Sequence, residues 1–230
     1  MMLQQIDKKY KLVLYIFIYL FLSTTLNLNF SKNININKIK TISLIGLNKD
    51  LENLLKKDLK KFENKNIFFL NKQLFENELK KYSFIDSYTV TKVYPDNIIV
   101  EIKFPYLLAE ITKNNKKYYF GSNGKIIEKN YFEESKKLPN LFGQFDNTEF
   151  LHLVNLIKKT EFEYDSIDNF YYYKSGRWDI EKKDEFIIKL PKHNINQSLK
   201  IAKKIINKKN KNNFLIIDLR IANQIILNDG

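Results

Sequence analysis

The stretch from Tyr82 to Ile111 constrains the fold more tightly than any other. Ile98, Val100, Ile102 and Phe104 occupy alternate positions, the period-two signature of a half-buried β-strand. Val90 and Val93 mark a second run just before it. Between the two lies Tyr94-Pro95-Asp96-Asn97, with proline where a type I turn wants φ near −65° and small polar residues to close it. The pattern predicts a β-hairpin, ended by Pro105.

The segments ahead of the hairpin complete a small unit. Ile39 to Ile45 reads as a strand ending at Gly46. Leu51, Leu54, Leu55, Leu59 and Phe62 then recur at helical spacing, with lysines and Glu52 opposite them. Asn71 is placed to cap a second helix carrying Leu74, Phe75, Leu79 and Tyr82. The resulting order is strand, helix, helix, strand, strand.

That order, with Phe84-Ile85, Lys92-Val93-Tyr94-Pro95-Asp96 and Lys103-Phe104-Pro105, resembles the POTRA domain of the FtsQ/DivIB family of cell-division proteins. Ser83 stands where the family has a proline, and Ile102 where it has a glutamate.

Composition narrows the function classes. The net charge is +13, but arginine occurs only at Arg177 and Arg220, so the charge is carried by lysines spread along the chain. Guanidinium forks for reading bases are nearly absent, and the charge reads as a solvated surface rather than a nucleic-acid site. The chain has no cysteine, which excludes disulfides, thiolate metal sites and a cysteine nucleophile.

Near the N-terminus, Lys8, Lys9 and Lys11 precede the apolar stretch Leu12 to Leu28. As a helix rising about 1.5 Å per residue this stretch is slightly short of a hydrocarbon core, so flanking side chains must help it span. No Ala-x-Ala-like exit follows Ser23-Thr24-Thr25, which favours an uncleaved signal anchor over a cleaved signal peptide. The lysines place residues 1–11 in the cytoplasm. Residues 29–38, rich in Asn and Lys, read as a linker to a POTRA-like domain over 39–110.

Residues 111–230 read as a mostly antiparallel β domain with two or more helices, making the whole chain α+β. Lys116–Phe120 and Lys125–Glu128 flank Gly121-Ser122-Asn123-Gly124, a hairpin connection that lacks the spacing of a phosphate loop. Phe150, Leu151, Val154 and Ile157 predict a helix over Thr148–Thr160. Strands follow over 169–174, 177–180 and 185–190, then a helix over 196–207 and strands over 214–220 and 224–227. In the run Phe170-Tyr171-Tyr172-Tyr173, alternate rings face the core and the surface.

This half is similar to the FtsQ β domain through Leu138-Pro139, Gly143, Gly176-Arg177-Trp178-Asp179-Ile180, Ile188-Lys189-Leu190-Pro191 and Ile217-Asp218-Leu219-Arg220. It departs at Gly121, where the family often has aspartate, and at Ile221, where an aromatic residue commonly follows.

Catalytic chemistry has little to draw on. His152 and His193 are the only imidazoles, and no Ser/His/Asp or His-x-x-x-His pattern surrounds them. Glu133-Glu134, Glu161/Glu163 and Asp184-Glu185 sit beside lysines and read as solvated charge, not as an acid/base pair with one carboxyl in an apolar pocket. No cofactor or metal is implied.

The resemblance implies a non-catalytic, single-pass scaffold of the division machinery, at the septal inner membrane with its bulk in the periplasm. It further implies that an edge strand captures the periplasmic part of FtsB, itself paired with FtsL, by β-augmentation. Carried onto this sequence, Arg220 becomes the charged contact, Ile221 takes the aromatic's place, and Asn223, Gln224, Ile225, Ile226 and Leu227 form the pairing edge. Ile225 and Leu227 are equally readable as inward packing. Other division proteins would meet the POTRA unit. The alternatives are a POTRA-bearing envelope or secretion assembly factor and a polysaccharide-processing enzyme.

Overall fold

The computed structural model of the chain describes residues 8–25, 37–132, 137–160, 162–183, 186–207 and 216–228. Most of the expected linker, the carboxylates Glu133, Glu134, Glu161, Asp184 and Glu185, and residues 214–215 of an expected strand lie outside the described residues.

Helix α1 (Lys8–Thr25) leads the chain. It carries Lys8, Lys9 and Lys11 in its first turn; residues 26–28 of the expected span lie outside the described residues, and no helix among the described residues is long and apolar enough to cross a membrane. This departs from the expected span over 12–28. After Lys11, each side chain from Leu12 to Leu22 is apolar or aromatic, and all of these are at least 44% exposed.

The first sheet has three strands in the order β1-β3-β2: β1 (Thr41–Ile45), β2 (Ser87–Val93) and β3 (Asn97–Lys103). Strand β1 runs parallel to β3 and β2 antiparallel to it. The hairpin between β2 and β3 is as expected, but its connection is not the four-residue type I turn: Asn97 already pairs with Val93, leaving the three residues 94–96, with Tyr94–Pro95 a cis peptide bond. Ile98, Val100 and Ile102 turn one face of β3 inward against α2 (Lys49–Leu59) and α3 (Lys72–Leu79). Leu55, Leu59, Phe75 and Leu79 are at most 1% exposed there, each worth about 1.5–3 kcal/mol of burial as an upper bound. Asn48 and Asn71 cap the two helices, their side chains accepting from the backbone N–H of Leu51 and Gln73 at 3.0 Å.

The second sheet has nine strands in the order β12-β11-β10-β9-β8-β7-β4-β5-β6. They are β4 (Leu107–Lys113), β5 (Lys116–Gly121), β6 (Ile126–Glu128), β7 (Asn140–Phe142), β8 (Ile167–Tyr173), β9 (Arg177–Lys182), β10 (Phe186–Lys189), β11 (Ile216–Asp218) and β12 (Ile226–Asn228). Pairing is antiparallel except for β4 with β7, β7 with β8, and β10 with β11. One face is apolar across the sheet: Leu141, Phe170, Ile180, Ile188 and Ile217 lie in register and are at most 3% exposed. Among the described residues two α-helices complete this domain, α4 (Asn147–Lys159) and α5 (Ile195–Asn207). Asp146 caps α4 in a capping box with Glu149. Gly143 leads from β7 to α4 at φ 110°, where a Cβ would stand 2.3 Å from the Tyr172 carbonyl oxygen, so the chain can pass β8 only as glycine.

Phe170 is buried and Tyr172 packs on the same core, while Tyr171 on the opposite face stacks on Phe142 at 5.2 Å. The alternation expected of the aromatic run is present.

The two domains are packed together rather than merely tethered. The Asn123 side chain donates to the Ser83 and Ile85 carbonyls at 3.0 and 3.2 Å, and the Lys125 ammonium to the Tyr82 carbonyl at 3.4 Å. Ile127 of β6 is fully buried in the first domain's core, and Phe132 meets Phe104 edge to face at 5.4 Å. The Gly121–Gly124 connection is a hairpin turn, and it is also the joint.

Candidate partner-binding edge

Strand β11 carries the start of the site. Ile217 and Leu219 are buried, and the Leu219 N–H donates to the Lys189 carbonyl at 2.9 Å, holding the segment on β10. Asp218 closes on its own chain two residues later: its carboxylate accepts from the Arg220 backbone N–H at 3.0 Å and from Arg220 Nε at 2.8 Å. These charge-assisted bonds hold the Asp218 carboxyl below its ordinary value, against an opposing effect of burial. The Arg220 side chain keeps 39% of its surface open while so engaged.

The chain then turns. Asn223 takes φ 61°, the left-handed conformation that asparagine tolerates well, and the Gln224 N–H donates to the Ile221 carbonyl at 3.2 Å. This turn absorbs Gln224, so β12 starts at Ile226 rather than at Gln224 as the sequence predicts. It pairs antiparallel with β11, matching Asp218 with Ile226, Ile217 with Leu227 and Ile216 with Asn228. Its other side forms one edge of the nine-stranded sheet.

Ile221, Ile225, Ile226 and Leu227 expose 53, 50, 39 and 45% of their surface. Leu227 has the same facing as buried Ile217, yet remains nearly half open. Beside this edge lies a groove of about 540 Å³ between the turn and α5. Arg220, Ile221, Asn223, Gln224 and Ile225 line one wall, and Gln197, Ser198 and Ile201 the other. The expected residues thus come together, five in the groove and two on the strand beside it. The α5 wall was not singled out by the sequence; its one signal is a small residue, Ser198, next to the buried stripe of Leu199 and Ala202.

Across the outer face of the sheet, Tyr171, Asp179, Lys189 and Asp218 stand in register on four adjacent strands. Asp179 is 2% exposed and its Oδ1 has no hydrogen-bond partner. Burial pushes its carboxyl above the ordinary value, opposed by the nearby Arg177, Lys189 and Arg220 charges. His152 is exposed on α4 and His193 is exposed at the mouth of the groove. Among the described residues no group of three or more His, Asp or Glu is close enough to hold a metal ion.

Two family profiles match this chain: the FtsQ-type POTRA domain over residues 37–103, and the C-terminal region of the cell division proteins FtsQ/DivIB over 109–220. The chain belongs to the FtsQ/DivIB family. A cell division protein FtsQ from Rickettsia bellii (strain RML369-C) is 28% identical over 192 residues, covering 81% of this chain and 70% of that protein. The major extracytoplasmic domain of the cell division protein DivIB from Geobacillus stearothermophilus matches at 12% identity and a TM-score of 0.33, over 47% of this chain and 99% of that one. FtsQ/DivIB membership places the chain among cell-division proteins. The second FtsQ/DivIB match ends at Arg220, so the turn and β12 lie beyond it.

Proposed function

We propose that the chain is a non-catalytic, membrane-tethered scaffold of the bacterial division machinery, and that it captures an extended segment of its partner on β12. The observation that carries this reading is the edge itself. A free strand edge offers unpaired backbone N–H and C=O groups, and natural sheets usually protect such edges with lysine or proline. Residues 224–228, Gln-Ile-Ile-Leu-Asn, contain neither, and three of them present apolar side chains to solvent. An incoming strand would gain main-chain hydrogen bonds along β12 and place alternate side chains in the groove against α5. Arg220 at the groove's end would receive a carboxylate.

Family membership supports FtsB, paired with FtsL, as the source of that strand, and other division proteins as partners of the POTRA-like domain. The tether is α1 with the apolar residues after it. A helix apolar on every side does not rest stably in water, and Lys11 would extend its reach by placing its ammonium group among headgroups. The lysines on that side favour a cytoplasmic N-terminus and a periplasmic bulk.

The test is binding of the intact chain, in lipid nanodiscs, to the periplasmic segments of the same organism's FtsB–FtsL pair. A second sample lacks residues 223–230 and is shown to be folded by its circular dichroism. Saturable binding that disappears on deletion is the expected result; an intact chain that fails to bind removes the edge-capture mechanism.

A further inference from the structure

We infer that the end of the POTRA-like domain carrying Phe68, Phe69 and Tyr94 rests in the headgroup region of the membrane that holds α1. This rests on the tether reading above and adds a second point of lipid contact.

The topology assigns this end. Strand β1 starts beside Asn97 and ends beside Glu101, so its first residues share one end of the domain with the β2–β3 turn. The loop after α2 lies there too: the Ile39 and Ile67 N–H groups donate to the Lys65 and Asn37 carbonyls at 2.9 Å. The chain therefore enters from α1 at this end, with eleven residues between Thr25 and Asn37. The β domain leaves from the opposite end, after Lys103.

At the entry end, aromatic rings point outward. Phe69 is 87% exposed, and Phe68 and Tyr94, stacked at 4.8 Å, are 55 and 54% exposed. An exposed phenylalanine pair is costly in water, whereas rings with a polar edge or neighbour suit the bilayer interface. Lysines surround them. The Lys92 ammonium donates to the Phe68 carbonyl at 3.3 Å, and Lys38, whose backbone pairs with that of Asn66, is exposed alongside Lys40 and Lys65. The nearby carboxylates are Asp96, paired with Lys40 at 2.7 Å, and Glu63. Four ammonium groups against two carboxylates favour a surface of anionic lipid, each lysine adding to the attraction. Exposed rings, surrounding ammonium groups and a short covalent connection to the apolar helix coincide at one end of one domain.

The chain has no cysteine, so a single label can be placed without other changes. Full-length protein carrying Phe69→Cys with an environment-sensitive fluorophore is reconstituted in vesicles containing anionic phospholipid. Asp50→Cys, exposed at the opposite end of the domain, is the reference. The expected result is a blue-shifted emission at position 69, quenched roughly two-fold or more by a lipid bearing a shallow spin label, with position 50 unaffected. Phe68→Glu should return the position-69 emission toward its value in water. If the protein floats with the vesicles while position 69 remains unquenched, this inference fails and the tether stands. If the protein does not float, the tether reading fails and takes this inference with it.

Discussion

Replacing both Ile225 and Leu227 by alanine should weaken partner binding by about 30-fold. Moving an Ile or Leu side chain fully out of water is worth about 1.5–3 kcal/mol. Ile225 is 50% exposed and Leu227 45%, so about half of that remains to be gained on binding. That is about 1 kcal/mol each, and about 2 kcal/mol together corresponds to a factor of about 30 at 1.4 kcal/mol per decade. The other half is already realised in the fold, so the variant should also lose about 2 kcal/mol of stability. For a chain of this size that lowers Tm by about 4–8 °C. Titration calorimetry against the FtsB–FtsL segments, well below the transition, separates the two effects. Leu74→Ala is the control, because it removes a 43% exposed leucine from α3 in the other domain. By the same reckoning it should cost about 1 kcal/mol of stability, about half that of the double variant, and leave the dissociation constant unchanged. A double variant that binds within about threefold of the parent, or a Leu74→Ala variant that loses as much binding, would refute the assignment of β12 as the receiving edge.

Four further outcomes follow from the geometry. Asn123→Ala deletes two bonds to the other domain and should cost about 1–3 kcal/mol, read as a lower urea midpoint together with faster amide exchange at Ser83–Asp86. Gly143→Ala must displace the Tyr172 carbonyl and should cost more than Gly124→Ala, whose new Cβ would meet only the Leu151 side chain at 3.0 Å and whose backbone strain is about 1–3 kcal/mol; chemical denaturation ranks them. Asp179→Asn should raise stability at neutral pH. Burial lifts the folded carboxyl's pKa, so its ionised form costs stability as pH rises, and the gain should vanish below the ordinary value of 3.8, as urea titrations at two pH values will show. Asp218→Asn should have the opposite sign. Its folded pKa is lowered, so its contribution is present above 3.8 and lost as pH falls through the folded value, and the variant's stability should be lower at neutral pH but converge with the parent in acid.

The sequence revealed elements whose signals are local. The alternation of Ile98, Val100 and Ile102 and the caps Asn48 and Asn71 declare their strand and helices because each pattern is complete within one segment. Strand β7 was not legible as a strand. It is three residues long and owes its existence to parallel pairing with β4 and β8, partners that no nearby residue announces. The edge was legible in kind but shifted, since the left-handed Asn223 draws Gln224 into the turn. The groove was hidden because its two walls come from separate segments, and only folding sets Ser198 and Ile201 opposite Ile225. The joint was equally hidden: Asn123 looks like any turn residue until its amide is seen to bind carbonyls about forty positions earlier.

That joint has a mechanical consequence. Asn123, Lys125, Ile127 and Phe132 join the domains at several points, an arrangement suited to a stiff strut rather than two beads on a string. On the proposed tether and edge capture, a body planted at its entry end would hold β12 at a set height and bearing, and a partner would engage only if its own stalk delivered its strand to that height. Stalk length would then become a criterion for admission, independent of the chemistry of contact. Inserting one helical turn into the stalk of such a partner, or cutting the strut at Asn123, would disturb recognition without touching a single residue at the edge.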